Sequence, residues 1–183
     1  MKIGIAGAGG IGSNVAVHLV RSGIKELKII DFDRVDTSNL NRQFFFDDQI
    51  GRLKVEMLAY NLKRISPDIH IEALSLKLDQ SNMAAVFVDC PIIVEGFDGQ
   101  AEKKMLLETL VDTEHWVVSA SGVAGQRVDN IRVRRLGHCT IVGDFQTDCR
   151  HTGLYSHKVG AIAAMMAGAV LEKIEEIHGK VKG

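Results

Sequence analysis

The first chemistry legible in this 183-residue chain lies near its start, in Gly7-Ala8-Gly9-Gly10-Ile11-Gly12. Glycines let a backbone turn sharply and approach a phosphate closely. A helix beginning there adds unpaired N–H groups and the positive end of its dipole. Asp31 stands about 20 residues further on, where an acid accepts hydrogen bonds from ribose hydroxyls. Loop and acid together predict a nucleotide site. The loop alone is compatible with NAD, FAD or ATP, and its competing reading is a glycine-rich turn used only for close packing.

The cysteines carry the second chemistry. Cys90, Cys139 and Cys149 are sparse and odd in number, which fits a reducing compartment better than a disulfide framework. No zinc is expected, because a tetrahedral site needs four closely grouped soft ligands. A mixed set of His138, His151 and His157 with Cys139 and Cys149 has unfavourable spacing. Cys90, beside Pro91, reads as core. Cys149 sits in the polar segment T-D-C-R-H-T-G, where Arg150 and His151 would favour its thiolate. That leaves two uses open, a catalytic thiol and an exposed thiol without a role.

These residues need a scaffold, and the pattern around them supplies one. Lys2–Ala6 is a short apolar run, Ile11–Ser22 an amphipathic helix closed at Gly23, and Leu27–Ile30 a buried strand ending at Asp31. A polar stretch follows from Asp33 to Gly51, containing Phe44, Phe45 and Phe46, which would pack the loop or a dimer contact. Leu53–Ile65 is helical, Ile69–Ser75 and Ile92–Val94 read as strands, Ala101–Val111 as a helix and Trp116–Ser119 as a strand. Ile131–Leu136 and Cys139–Val142 form a hairpin turned at Gly137-His138. A long helix, Val159–Ile177, closes the pattern, with Gly179 after it. Alternating strands and helices predict an α/β fold: a Rossmann-like, doubly wound, mainly parallel sheet with a C-terminal antiparallel hairpin and a long final helix.

Composition narrows the classes. Hydrophobic residues at 46% and charged residues at 25% are those of a globular domain, and one domain over 1–183 is expected. Twenty-two basic against 23 acidic side chains give a net charge of −1, so no nucleic-acid partner is expected. Two prolines exclude long extended linkers. No apolar run approaches the roughly 20 residues of a membrane span, and the start lacks the charged region and cleavage site of a signal peptide. A cytoplasmic protein is the expectation.

Beyond Asp31 the sequence becomes specific. It reads D-F-D-R-V-D-T-S-N-L-N-R-Q from Asp31 to Gln43, then G-R-L-K from Gly51 to Lys54. With the glycine loop, this closely resembles the ThiF/MoeB/HesA family, relatives of ubiquitin-activating enzymes, from residue 2 to about residue 177. The short form is most similar to ThiF-type proteins of thiamine biosynthesis. The resemblance implies an ATP-dependent adenylyltransferase acting on the C-terminal glycine of a ThiS-like, ubiquitin-fold sulfur carrier. A sulfur-donor protein and a homodimer are implied as well.

Residue by residue, the resemblance implies a nucleotide site of Gly7, Gly9, Gly10, Gly12, Asp31 and Asp33. Asp31 takes the ribose, Asn39, Arg42 and Lys54 surround the phosphates, and Gln43 lies beside them. Asp98 in E-G-F-D-G is the match to the family's Mg²⁺-associated acid, and Lys103 a weaker match to its basic residue. Cys149 stands where ThiF-type enzymes have the thiol that joins the carrier. In the family a helical segment before the first strand delivers an arginine across the dimer; here that arginine is expected to come from elsewhere, with Arg127, Arg132 and Arg135 as candidates, or to be absent.

Chemistry supports this set. A carboxylate attacking the α-phosphorus brings two anions together, so cations must offset the repulsion. Arg42 offers a planar fork, Lys54 a point charge, and Mg²⁺ at Asp98 would neutralise departing pyrophosphate. The nucleophile is already ionised at pH 7, so no general base is required. An NAD-dependent oxidoreductase and a non-catalytic scaffold for a carrier are the alternative functions. The first leaves the Arg42–Lys54–Asp98 set without a use.

Overall fold

The computed structural model describes residues 1–110 and 113–181, with side chains described as far as 179. Its first half winds as β1 (Ile3–Ala6), α1 (Gly10–Arg21), β2 (Glu26–Ile30), α2 (Lys54–Lys63) and β3 (His70–Leu74). A short α3 (Met83–Val86) leads into β4 (Ile92–Glu95), α4 (Gln100–Leu110) and β5 (Trp116–Ala120). The hairpin β6 (Arg132–Leu136) and β7 (Cys139–Gly143) and the helix α5 (Ser156–Val181) follow. The seven strands form one sheet in the order β3-β2-β1-β4-β5-β7-β6. All neighbours are parallel except β6 and β7.

The period-2 geometry of the strands sorts their side chains onto two cores. Ile3, Ile5, Leu27, Ile29, Ile92 and Val94 face one way, onto Val15 and Leu19 of α1, Leu58 of α2 and Ile162, Met166 and Val170 of α5. Ala6, Ile30, Ile93 and Val117 face the other, onto Met83, Phe87, Leu106 and Leu110 of α3 and α4. Helices thus cover both faces, as the alternating pattern requires. The chain moves outward from β1 to β2 and β3, then returns to begin again at β4 on the other side of β1. That reversal opens a crevice at the carboxyl ends of β1 and β4, where ligands bind in open α/β sheets.

Element boundaries differ from the sequence pattern where packing overrides it. The final helix begins at Ser156 and runs through Gly179 to Val181. Glycine weakens a helix by about 1 kcal/mol without having to end it. The helix expected over Ala101–Val111 starts at Gln100, and its expected end at Val111 lies outside the described residues. The four-residue α3 is too short to show a helical period. Among the described residues no helix is long and apolar enough to cross a membrane.

Candidate active site

At the crevice lies a cavity of about 250 Å³ whose walls include Gly7, Gly9, Asp31, Asp33, Lys54 and Asp98. Gly7 turns out of β1 with φ +96°, and a Cβ there would sit 2.8 Å from the Gly96 carbonyl oxygen of the loop after β4. A Cβ on Gly12, in the first turn of α1, would lie 1.8 Å from the Gly7 carbonyl oxygen. Only glycine lets the loop fold this tightly against its helix. Gly9 is the N-cap, and Gly10 begins α1, whose first-turn amides have no acceptors within the helix.

Asp31 ties the loop to the next strand. The Ala8 amide donates to its Oδ2 at 2.7 Å and the Asp33 amide to its Oδ1 at 2.7 Å. Burial pushes its carboxyl above the ordinary value, against the pull of the Asp33 and Ala8 amides and the Lys54 ammonium. Lys54 opens α2, yet it is only 4% exposed. A buried cation at a helix N-terminus stands at the wrong end of the dipole. The Asp33 carboxylate accepts from its ammonium at 3.0 Å and offsets that cost.

Asp98 occupies the opposite wall. Its carboxylate oxygens lie 3.4 and 3.6 Å from where a Cβ on Gly9 would be, and it has no hydrogen-bond or ion-pair partner among the described residues. It caps no amide of α4 among the described residues, although it stands just before that helix.

Arg42 does not join Lys54 and Asp98 in the cavity wall. Its stem packs over Gly10, but Nη1 donates to the Ser38 carbonyl at 2.9 Å and Asn41 Oδ1 at 2.8 Å. The cause is local. A 3-10 turn over Thr37–Asn39 carries the segment back on itself, so the guanidinium finds acceptors in its own turn. Asn39 is likewise engaged there, its Oδ1 accepting the Asp36 amide at 3.1 Å. The segment is nonetheless fixed beside the glycine loop. Asn14 of α1 donates to the Gly10 and Arg42 carbonyls, and the Phe44 amide donates to Ser13 Oγ. Gln43 is buried with both ends of its amide unpartnered among the described residues. Of the three phenylalanines, Phe45 is core, while Phe44 and Phe46 pack edge to face.

A second cavity, of about 310 Å³, adjoins the first through Phe97 and Asp98. Ser121, Gly122 and Val123 after β5 line it, with Phe145 to Cys149 after β7. Glu95, outside that lining, is fully buried at the end of β4. That carboxylate accepts from Lys103, from Ser119 Oγ at 2.6 Å and from the Phe97 amide at 2.8 Å. Lys103 therefore lines the second cavity with its charge already paired. Cys149 is exposed and faces this cavity. The expected help from Arg150 is weakened, because its guanidinium is held by Asp148 at 2.5–3.1 Å. Burial raises Cys139 to a pKa of about 11, and Cys90 is core. Among the described residues no three His, Cys, Asp or Glu side chains form a metal cluster.

Phe32, Leu76 and Leu78, which give the first cavity an apolar wall, were not legible as site residues. Phe32 lies between two acids, and Leu76 and Leu78 lie beyond the end of β3 in a segment without periodicity. Glu95 and Ser119 read as ordinary strand positions.

The sequence model of the ThiF family matches residues 1–182. The adenylyltransferase and sulfurtransferase UBA4 of Candida glabrata is 28% identical over 186 residues, which cover 97% of this chain and 43% of that one. MOCS3 of Caenorhabditis briggsae, of the same description, is 28% identical over 190 residues, 98% of this chain and 47% of its own. The chain spans less than half the length of these curated relatives. The E. coli tRNA N6-threonylcarbamoyladenosine dehydratase TcdA in complex with AMP shares the fold at TM-score 0.89 and 21% identity, over 97% of this chain and 87% of that one. E. coli MccB with ATP does so at 0.73 and 22%, over 96% and 55%. From its glycine loop to its last helix, this chain belongs to the ThiF family.

Proposed function

We propose that this chain adenylates the C-terminal glycine carboxylate of a small ubiquitin-fold carrier, releasing pyrophosphate, and that the carrier is ThiS-like and serves thiazole synthesis. The observation that carries the reading is the pair of cavities joined at Asp98. One has the glycine loop, a ribose acid and a buried lysine. The other is an open groove leading to the same point, suited to an extended tail. The names of UBA4 and MOCS3, both adenylyltransferases, support it.

ATP would lie with its base against Phe32, Leu76 and Leu78, its ribose at Asp31 and its phosphates between the first turn of α1 and Lys54. Asp98, an exposed and unpaired hard-oxygen donor, fits a magnesium ion that takes phosphate and water as its other ligands. Bound there, magnesium would supply charge against the leaving pyrophosphate. Arg42 would exchange two local acceptors for phosphate oxygens, and Gln43 beside it offers a buried, unpaired amide. The carrier's terminal carboxylate, arriving through the second cavity, attacks the α-phosphorus as the bond to pyrophosphate breaks. Cys149 would act afterwards, in sulfur transfer from a donor protein. We place the protein in the cytoplasm, as a homodimer.

ATP–pyrophosphate exchange with a purified ThiS-type carrier ending in Gly-Gly tests the proposal. Carrier-dependent exchange, with an adenylated carrier in the intact mass, is expected. Stabilisation by NAD but not by ATP with magnesium, or nucleotide binding with no adenylated product, would overturn it.

A further inference from the structure

Behind the second cavity, and not in its wall, lies a buried ion pair that the proposed reaction does not use. Lys158, in the first turn of α5, is 1% exposed at its side chain, and Asp144, just after β7, is fully buried. The Lys158 ammonium donates to Asp144 Oδ2 at 2.7 Å and to the Ala124 carbonyl at 2.5 Å. Asp144 Oδ1 accepts the amides of Gln146 and Thr147 at 2.8 and 2.9 Å, and both carboxylate oxygens accept from Thr147 Oγ1. One charge pair thus fixes three elements together: the loop after β5, the loop after β7 and the start of the last helix.

Between the bonds it makes, this pair encloses the one non-glycine residue with positive φ among the described residues, Phe145 at 62°. A phenylalanine in the left-handed region is strained and persists only where its surroundings dictate it. Here the Phe145 amide donates to the Ser121 carbonyl at 3.1 Å, and the Arg134 guanidinium lies 4.3 Å from the ring centroid. Phe145 then lines the second cavity beside Gln146 and Thr147. Burying two charges is a poor route to stability, since a well-packed apolar pair often serves as well. Its use must lie in the geometry it enforces.

We infer that Asp144 and Lys158 are positioning residues for the carrier's tail: their ion pair holds Phe145, Gln146 and Thr147 as the wall against which the extended chain lies. This rests on the carrier reading above. Neither residue reaches the nucleotide cavity, so the inference separates carrier recognition from ATP recognition.

The test is Lys158→Met and its conservative partner Lys158→Arg in the full chain. In K158M the KM for a ThiS-type Gly-Gly carrier should rise about ten-fold or more, as a misplaced tail would produce. The KM for ATP and its thermal shift should stay within about two-fold of wild type, and K158R should recover part of the carrier KM. Amide hydrogen exchange should quicken at Gln146 and Thr147 while Ala8 and Asp33 stay protected. Where K158M does not fold, the neutral pair D144N/K158M removes the stranded charge and should show the same split. Unchanged exchange at Gln146 and Thr147, an unchanged carrier KM in a folded variant, or parallel losses for carrier and ATP would overturn the inference. If the wild type uses no carrier, the carrier reading falls, and with it the tail; the exchange measurement still decides whether the pair sets the wall.

Discussion

The two adjoining cavities are built by opposite means. The nucleotide side is made by short-range backbone packing, where Gly7 and Gly12 touch within one turn and Asp31 accepts amides from the loop and from its own neighbourhood. The groove side is made by long-range stitching, where Lys158 reaches back to Asp144 and Ala124 from another element. A site built from contiguous backbone leaves a motif in the sequence. One built by a buried charge pair leaves none, because a lone Lys and a lone Asp look like surface residues.

The comparison breaks most sharply at Gly12. A methyl there meets the Gly7 carbonyl oxygen at 1.8 Å, backbone against backbone, with no flexible side chain to yield. Gly12→Ala should cost about 3 kcal/mol, the upper part of the range for overpacking, and abolish the thermal shift with ATP. A small shift in melting temperature with nucleotide binding retained would show that the loop is not set by this contact.

Lys54→Met comes next. It removes a buried cation but leaves the glycine loop intact. A preorganised charge of this kind is worth about 10²–10³ in rate, so pyrophosphate exchange should fall by that factor while circular dichroism is unchanged. A loss of less than ten-fold would mean that the ammonium serves Asp33 and not the phosphates.

Acid should separate the two sides. Asp144 is raised by its burial, but Lys158 and the Thr147 and Gln146 amides outweigh this and hold it at about 2, below its ordinary 3.8. A depressed carboxyl contributes stability above its unfolded value and loses it as pH falls toward 2, about 2 kcal/mol in all. Asp31 is shifted the other way by burial, so it takes up its proton at a higher pH than an ordinary aspartate and then can no longer accept from both amides and a ribose. Lowering the pH should therefore weaken ATP binding first and loosen the Gln146–Thr147 amides only later, read by thermal shift and hydrogen exchange. D144N should flatten the second limb alone.

The same contrast explains what the sequence disclosed. The sheet, the helices on both faces and the hairpin at Gly137 followed from periodicity, Gly7, Gly9 and Asp31 from a motif confined to strand ends, and Lys54 and Asp98 from the family resemblance alone. Arg42 was expected in the cavity, but its orientation depends on a 3-10 turn whose acceptors, Ser38 and Asn41, no pattern distinguishes from solvent-facing polar residues. Phe32, Glu95 and Ser119 gained roles only through neighbours distant in sequence. Glu95 accepts from Ser119 across 24 residues, a pairing with no period to reveal it.

The smallest effect is expected at Cys149, and it sharpens the boundary between the two chemistries of the groove. The thiol is exposed and lines the groove, but no bond in the described structure makes it part of the wall, and Arg150 beside it is committed to Asp148. Cys149→Ser should therefore leave ATP–pyrophosphate exchange within about two-fold, the usual range for an exposed substitution. Transfer of sulfur to the adenylated carrier, followed by intact mass in the presence of a persulfide donor, should be lost. A thiolate is a far better nucleophile than a hydroxyl at neutral pH, so serine cannot take over a covalent relay. Exchange that fell with sulfur transfer would place Cys149 in the groove's structure; sulfur transfer that survived would leave it an exposed thiol without a role.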